Sequence, residues 1–261
     1  MEHYTEINAK TVDKWVEDGW EWGKPVSTKA CEKARRGEWD VYLTPTRPVP
    51  KDWFMPMKGA KILGLASGGA QQMPIFSLLG ADCTVMDLSD RQLESERLIS
   101  EREGYKIEIV KADMTLKFPF ADNAFDLIFH PVSNCFIEDV YHVWRECFRV
   151  LRPNGILLSG LDNGINYLFD IDEAGKPLTV ANNLPFNPLK NPKLLDEAIK
   201  NNESIQFSHS FDEQIGGQIK AGFLISGAYE DYNGSPDCQN SPKFATAQAG
   251  IPAFWATKAI K

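Results

Sequence analysis

Lys61-Ile-Leu-Gly-Leu-Ala-Ser-Gly-Gly-Ala70 constrains this chain more than any other stretch. Its first half, residues 61–65, is a short apolar run that reads as a buried parallel strand. Its second half, residues 66–70, uses only small residues, and residues 71–79 then read as helical. A strand that turns through small residues into a helix is the ligand cradle of doubly wound α/β folds, because missing side chains let the backbone approach a nucleotide closely. A glycine-rich turn alone specifies only a turn, so the rest of the chain must supply the function.

The regular alternation that follows supports an α/β sheet. Residues 82–87 read as a strand ending in an acid, and Ser89-Asp-Arg-Gln92 fits a capping box opening a helix to about Glu103. Strands are expected at 106–111, 125–130 and 156–161. A helix near 138–151 carries Val140, Val143, Trp144, Cys147 and Leu151 on one stripe. Arg152-Pro-Asn-Gly155 reads as a turn. Strands alternating with helices imply a parallel sheet with helices on both faces, and a ligand at its C-terminal strand ends. Residues 163–203 break the rhythm and read as an inserted lid, with a short helix near 192–200. A helix at 211–221 and strands at 223–229 and 253–259 complete the pattern, the last two as an antiparallel edge pair. Residues 1–57 read as an N-terminal helical cap, with helices near 8–17 and 27–36 and a proline-rich connector at 44–50. Five of the seven tryptophans (Trp15, Trp20, Trp22, Trp39, Trp53) fall there, as packing anchors or cavity walls. Residues 58–261 form the ligand-binding domain.

Composition narrows the partners. A net charge of −8 and a pI near 5.1 argue against a nucleic-acid backbone, which needs clustered Lys and Arg. The five cysteines (Cys31, Cys83, Cys135, Cys147, Cys238) form no C-x-x-C pair and the four histidines show no ligand spacing, so no metal is expected. Reduced thiols, no basic leader and no long apolar run point to a cytoplasmic protein without a membrane partner. Oligomeric state is left open.

Asp87 lies about 20 residues after the glycine turn, where a carboxylate can accept ribose hydroxyls; its structural alternative is a helix cap before Ser89. Asp113 ends the next strand, where it can accept an adenine amino group while Met114 packs on the ring. Two cofactors fit. Gly64-x-Ala66-x-x-Gly69 is a near miss of the dinucleotide fingerprint, so an NAD(P)-dependent Rossmann oxidoreductase competes with a user of S-adenosylmethionine, which has no pyrophosphate. Pro74 removes an amide from the helix start that a pyrophosphate would use.

The ordered motifs resemble a class I S-adenosylmethionine-dependent methyltransferase of the small-molecule group. Ile62-Leu-Gly-Leu-Ala-Ser-Gly-Gly-Ala70 resembles its first motif and Val85-Met-Asp-Leu-Ser89 its second. Lys111-Ala-Asp-Met114 is similar to the adenine motif, and Phe118-Pro-Phe-Ala-Asp-Asn-Ala-Phe-Asp-Leu-Ile-Phe129 to the fourth-strand motif. Arg149-Val-Leu-Arg-Pro-Asn-Gly-Ile-Leu-Leu158 resembles the turn into strand five, and Phe254-Trp-Ala-Thr-Lys258 the seventh strand. The resemblance implies a doubly wound, mostly parallel seven-stranded sheet, S-adenosyl-L-methionine as cofactor and a small-molecule methyl acceptor. It implies a cofactor site of Gly64, Ala66, Ser67, Gly68, Gly69, Gln72, Asp87, Leu88, Asp113, Met114 and His130. The family's first motif usually carries an acid where this chain has Gly64, and glycine at Ala66 and Ala70, so Gln71 or Gln72 must replace the missing contact. A non-catalytic adenosine-ligand-binding protein is the further alternative. His130 at the end of strand four is the candidate base, or else shapes the cofactor floor. Ser133, Asn134 and His209 are substrate-side candidates, and His142 reads as surface.

Overall fold

The computed structural model describes residues 3–169, 176–234 and 244–261; Cys238 lies outside them. Seven strands form one sheet in the order β3-β2-β1-β4-β5-β7-β6. They are β1 (Lys61–Leu65), β2 (Asp82–Asp87), β3 (Glu108–Lys111), β4 (Phe125–His130), β5 (Leu151–Asp162), β6 (Leu224–Asp231) and β7 (Phe254–Ile260). The first five are parallel, and β7 runs antiparallel to both β5 and β6. Strand order reverses between β2-β1 and β1-β4, which opens a crevice above the turn after β1.

Side-chain alternation divides the core between two faces. Ile62, Leu127, Phe129 and Leu158 face one layer with Phe76 and Trp53. Leu63, Ile128 and Leu157 face the other, where Val143, Trp144 and Cys147 of a helix are fully buried. Burying such side chains contributes roughly 1.5–3 kcal/mol each, so this stripe alone fixes that helix.

The helices run in chain order as α1 (Tyr4–Glu17), α2 (Thr28–Arg35), α3 (Met73–Leu78), α4 (Asp90–Glu103), α5 (Val140–Val150), α6 (Ile165–Leu168), α7 (Pro192–Asn201), α8 (Gly217–Ala221) and α9 (Ala245–Gln248). The Ser27, Ser89 and Asp139 side chains cap α2, α4 and α5 by accepting backbone N–H bonds.

Three local expectations change. The helix after the glycine turn begins at Met73 rather than residue 71, with Pro74 in its first turn. The 152–155 turn lies inside β5 as an irregularity, because Asn154 (φ 63°) and Gly155 pair with Lys261 at the end of the chain. The helix expected over 211–221 is π-wound from Asp212 to Gly216 before α8. Trp144 accounts for it, since its indole N–H donates to the Glu213 carbonyl and its ring sits where a Gly217 side chain would be.

The proline-rich connector crosses the sheet's C-terminal edge. Val132 N–H donates to the Leu43 carbonyl, and a Cβ on Gly160 would lie 2.1 Å from that oxygen. Only glycine at 160 lets residues 41–45 lie this close over β5, which makes them a wall of the crevice.

Candidate active site

A cavity of about 890 Å³ fills the crevice. Its floor is the turn after β1 together with the ends of β2, β3, β4 and β5, and its roof is the N-terminal segment. Of the expected cofactor residues, Ala66, Ser67, Gly68, Gln72, Asp87, Leu88, Asp113 and Met114 line it; Gly64, Gly69 and His130 do not.

The glycine turn is held from behind. Asp87 Oδ2 accepts the Gly68 N–H at 3.0 Å, and Oδ1 accepts those of Leu88 and Ser89 at 2.8 and 3.0 Å. Asp87 therefore braces the turn as well as facing the cavity. Three amide donors leave about one of the four carboxylate lone-pair positions open to a ligand hydroxyl. Burial raises its pKa, against the pull of those amides. A Cβ on Gly68 would meet Gln92 Cβ at 2.6 Å and Asp87 Oδ2 at 3.0 Å, so the turn passes here only as glycine.

Gly64 makes room for protein rather than ligand. Met73 Sδ lies 2.7 Å from where its Cβ would be, so thioether fills the place of the family's acid. Gln72 accepts the Ser67 hydroxyl at 3.0 Å from inside the cavity wall. Gln71 turns the other way, donating to the Glu21 and Lys24 carbonyls of the roof. Ala66 and Ala70 both take left-handed φ, 45° and 54°, where the family has glycine.

His130 sits behind the cavity wall, with no exposed surface. Nδ1 lies 2.9 Å from the Leu65 carbonyl and Nε2 2.8 Å from Asn134 Oδ1, and the ring packs edge-on against Trp144. Burial lowers its pKa. Both nitrogens are engaged by protein, so His130 joins β1 to β4 and has no lone pair aimed at the cavity. Asn134 is buried beside it, donating to Gln214, while Ser133 lines the cavity. His209 is buried away from the cavity lining, and His142 is half-buried against the Leu116 carbonyl.

Besides Gln71, further contacts tie the roof down. Asp13 of α1 accepts the Ser89 hydroxyl at 2.6 Å and the Arg91 N–H at 3.0 Å, which sets α1 over the start of α4. Asn8 donates to the Ile205 carbonyl at 2.9 Å and accepts the Ile205 N–H at 2.6 Å, as a neighbouring strand would. Val26 N–H donates to the Ala70 carbonyl. The tryptophans divide accordingly: Trp15, Trp20 and Trp22 line the cavity. Trp39 packs on Phe54 and Phe76, and Trp53 on Tyr229. From residues 163–203, Asn166 and Tyr167 reach the cavity.

Sequence reasoning missed the far end of this cavity. There Asp162, Asn166, Tyr167, Cys135, Gln206 and Phe254 converge. The available signal was Asp162 itself, an acid ending a strand as Asp87 does.

The arrangement fits S-adenosylmethionine. The Asp87 and Asp113 carboxylates and Met114 line the cavity beside the turn after β1, whose Ala66, Ser67 and Gly68 also line it, and these are groups that could bind a nucleoside and its methionine tail. A pyrophosphate fits poorly, because α3 is six residues long with proline in its first turn. Among the described residues no helix is long and apolar enough to cross a membrane. No group of three or more His, Cys, Asp or Glu that could hold a metal was found among them.

Comparison with known proteins gives the same picture. Residues 63–159 match a family model described as a methyltransferase domain. The chain is 47% identical over 230 residues to the uncharacterized methyltransferase YbaJ of Bacillus subtilis (strain 168), covering 87% of this chain and 90% of that one. It is 34% identical over 103 residues to the sterol 24-C-methyltransferase erg6 of Aspergillus fumigatus, covering 38% of this chain and 27% of that one. The solved S-adenosylmethionine-dependent methyltransferase of Mesorhizobium loti superposes with a TM-score of 0.64 at 19% identity, over 81% of this chain and 95% of that one, which shows a shared fold.

Proposed function

The chain belongs to the class I S-adenosylmethionine-dependent methyltransferases, and from that membership we propose that it methylates a small molecule enclosed in this cavity. The roofed cavity carries this reading. At about 890 Å³ it lies near the upper end of small-molecule sites, which span about 300–1,000 Å³, so a cofactor and a modest acceptor fill it together. A relative named for a sterol supports the same acceptor class.

Ala66, Ser67, Gly68 and Gln72 would hold the methionine part, Asp87 with Leu88 the ribose, and Asp113 with Met114 the adenine. When bound, the cofactor supplies an activated methyl group on a good leaving group. The protein's work is positioning: holding an acceptor in line with that methyl can account for roughly 7–11 kcal/mol of the barrier. Trp15, Trp20, Tyr42 and Phe136 grip the acceptor from above and exclude water. Incubation with label on the methyl group and separated small-molecule, protein and RNA fractions tests the proposal. Label should enter the small-molecule fraction, and label confined to protein or RNA would refute it.

A further inference from the structure

Asp162 is a carboxylate to which the cofactor site gives no work. It ends β5, pairs through its backbone with Phe254 of β7, is 5% exposed and lines the cavity. Strands lie about 4.8 Å apart, so it stands about 10 Å to one side of the turn after β1, with Asp113 about 10 Å to the other. If the nucleoside lies over β2 and β3, Asp162 faces the acceptor.

Its setting, among the described residues, is that of a base held by neutral donors with no opposite charge beside it. Oδ1 accepts the Gly164 N–H at 2.6 Å and Oδ2 an Asn166 Nδ2–H at 2.6 Å, and Asn166 is itself fixed by a bond from Asn233. Among the described residues both donors to Asp162 are uncharged, and each carboxylate oxygen keeps a lone pair beside them. Among the described residues the ionisable groups facing it are the Cys135 thiol and the Tyr167 phenol, both pushed up by burial and by the Asp162 charge, so both are neutral near pH 7. Tyr167 spends its hydrogen on Gln206 Oε1, at 2.7 Å. Burial brings the Asp162 carboxyl up to about 6, which leaves it ionised at neutral pH yet a better proton acceptor than an ordinary aspartate.

We infer that Asp162 receives the proton of a hydroxyl or amine acceptor as that heteroatom is methylated. This rests on the small-molecule reading of the cavity. The balance is simple: the O–H or N–H bond breaks and its proton passes to the carboxylate. The freed electron pair forms the new bond to the methyl carbon, and the carbon–sulfur pair stays on sulfur. The acceptor thus carries a hydrogen on the atom that is methylated, in an otherwise apolar and aromatic body that suits Phe254 and Trp15.

Asp162→Asn keeps the turn onto Gly164 but sets an amide N–H₂ against the Asn166 donor, so the loss of the pH limb, which a structural fault would leave in place, is what separates this from a structural role. Carbon-13 titration of the cofactor-free wild type should show a carboxyl near 6 that the variant lacks, and calorimetric affinity for S-adenosylhomocysteine should stay within twofold. Labelled transfer is then run on four panels: phenols, amines, thiols and compounds offering only C–H. Wild type should label a phenol or an amine, with kcat/KM rising to a plateau above about pH 6. The variant should lose that limb and about 100-fold or more in kcat, as removal of a general base does. A smaller loss, an unchanged pH profile, or label only in thiols or C–H compounds overturns the role of Asp162 and leaves the small-molecule reading standing. Label in no panel, with cofactor bound, removes that reading and the inference with it.

Discussion

Replacing Glu96 by glutamine should stabilise the protein in alkali and change it little in acid. Glu96 of α4 is fully buried; Oε1 accepts the Ala70 N–H at 2.8 Å, and Oε2 has no partner among the described residues. Burial pushes its carboxyl up from 4.5 to about 8, opposed by the Ala70 amide and helped by the Asp87 charge. The unfolded chain gives up this proton near 4.5 and the folded one near 8, so between those values the native state binds the extra proton. The contribution is complete below 4.5 and is lost as pH rises through 8, at about 1.4 kcal/mol per pH unit. Glutamine has the same shape, keeps an oxygen for Ala70 and has no proton to lose. Its advantage should grow from nothing near pH 4 to about 3 kcal/mol near pH 7 and up to about 5 kcal/mol above pH 8. A constant offset of about 1–3 kcal/mol enters if the new N–H₂ goes unsatisfied, and the Tyr105 hydroxyl, also without a partner, is the nearby polar group to satisfy it. Urea unfolding followed by circular dichroism from pH 5 to 9 measures the gap. A gap that stays constant across this range would refute the buried-acid explanation.

Two further outcomes follow from the same geometry. Gly160→Ala should lower unfolding free energy by about 3 kcal/mol or more, since its Cβ would meet the Leu43 backbone at 2.1 Å; a denaturation midpoint near wild type would show that the connector shifts freely. Asp87→Ala should cost about 1–3 kcal/mol of stability by stranding the Gly68, Leu88 and Ser89 amides, and should cut cofactor affinity about tenfold or more. Melting with and without S-adenosylmethionine separates the two, because saturation at 100 Kd adds about 2.7 kcal/mol only while the site still binds; an unchanged ligand shift would confine Asp87 to bracing the turn.

The strand-helix rhythm was legible because each buried strand writes itself as an apolar run and each helix as a stripe. Asp87, Asp113 and Met114 could be expected at the crevice because each lies at or just past the C-terminal end of a parallel strand, and all three line the cavity. His130 shows the limit. It is the last residue of β4, and strand alternation turns its ring down onto Trp144 instead of up into the crevice. Gly160 carried no mark of its use, since what crosses it comes from residues about 115 positions earlier. Glu96 could have been found: Leu93, Glu96 and Ile99 recur at three-residue spacing on one buried stripe of α4. Gly64 looked like a ligand contact because its occupant, Met73, lies nine residues on across the turn.

Asn8 has a consequence for turnover. By pairing with both backbone groups of Ile205, one side chain makes α1 and the strip around residue 205 a single door leaf. On the proposed function, the spent cofactor and the methylated product would share the cavity under that leaf. Where that leaf covers their way out, one opening event would serve both departures. The pace of a catalytic cycle would then be set at this hinge, and loosening Asn8 would trade longer retention for quicker exchange.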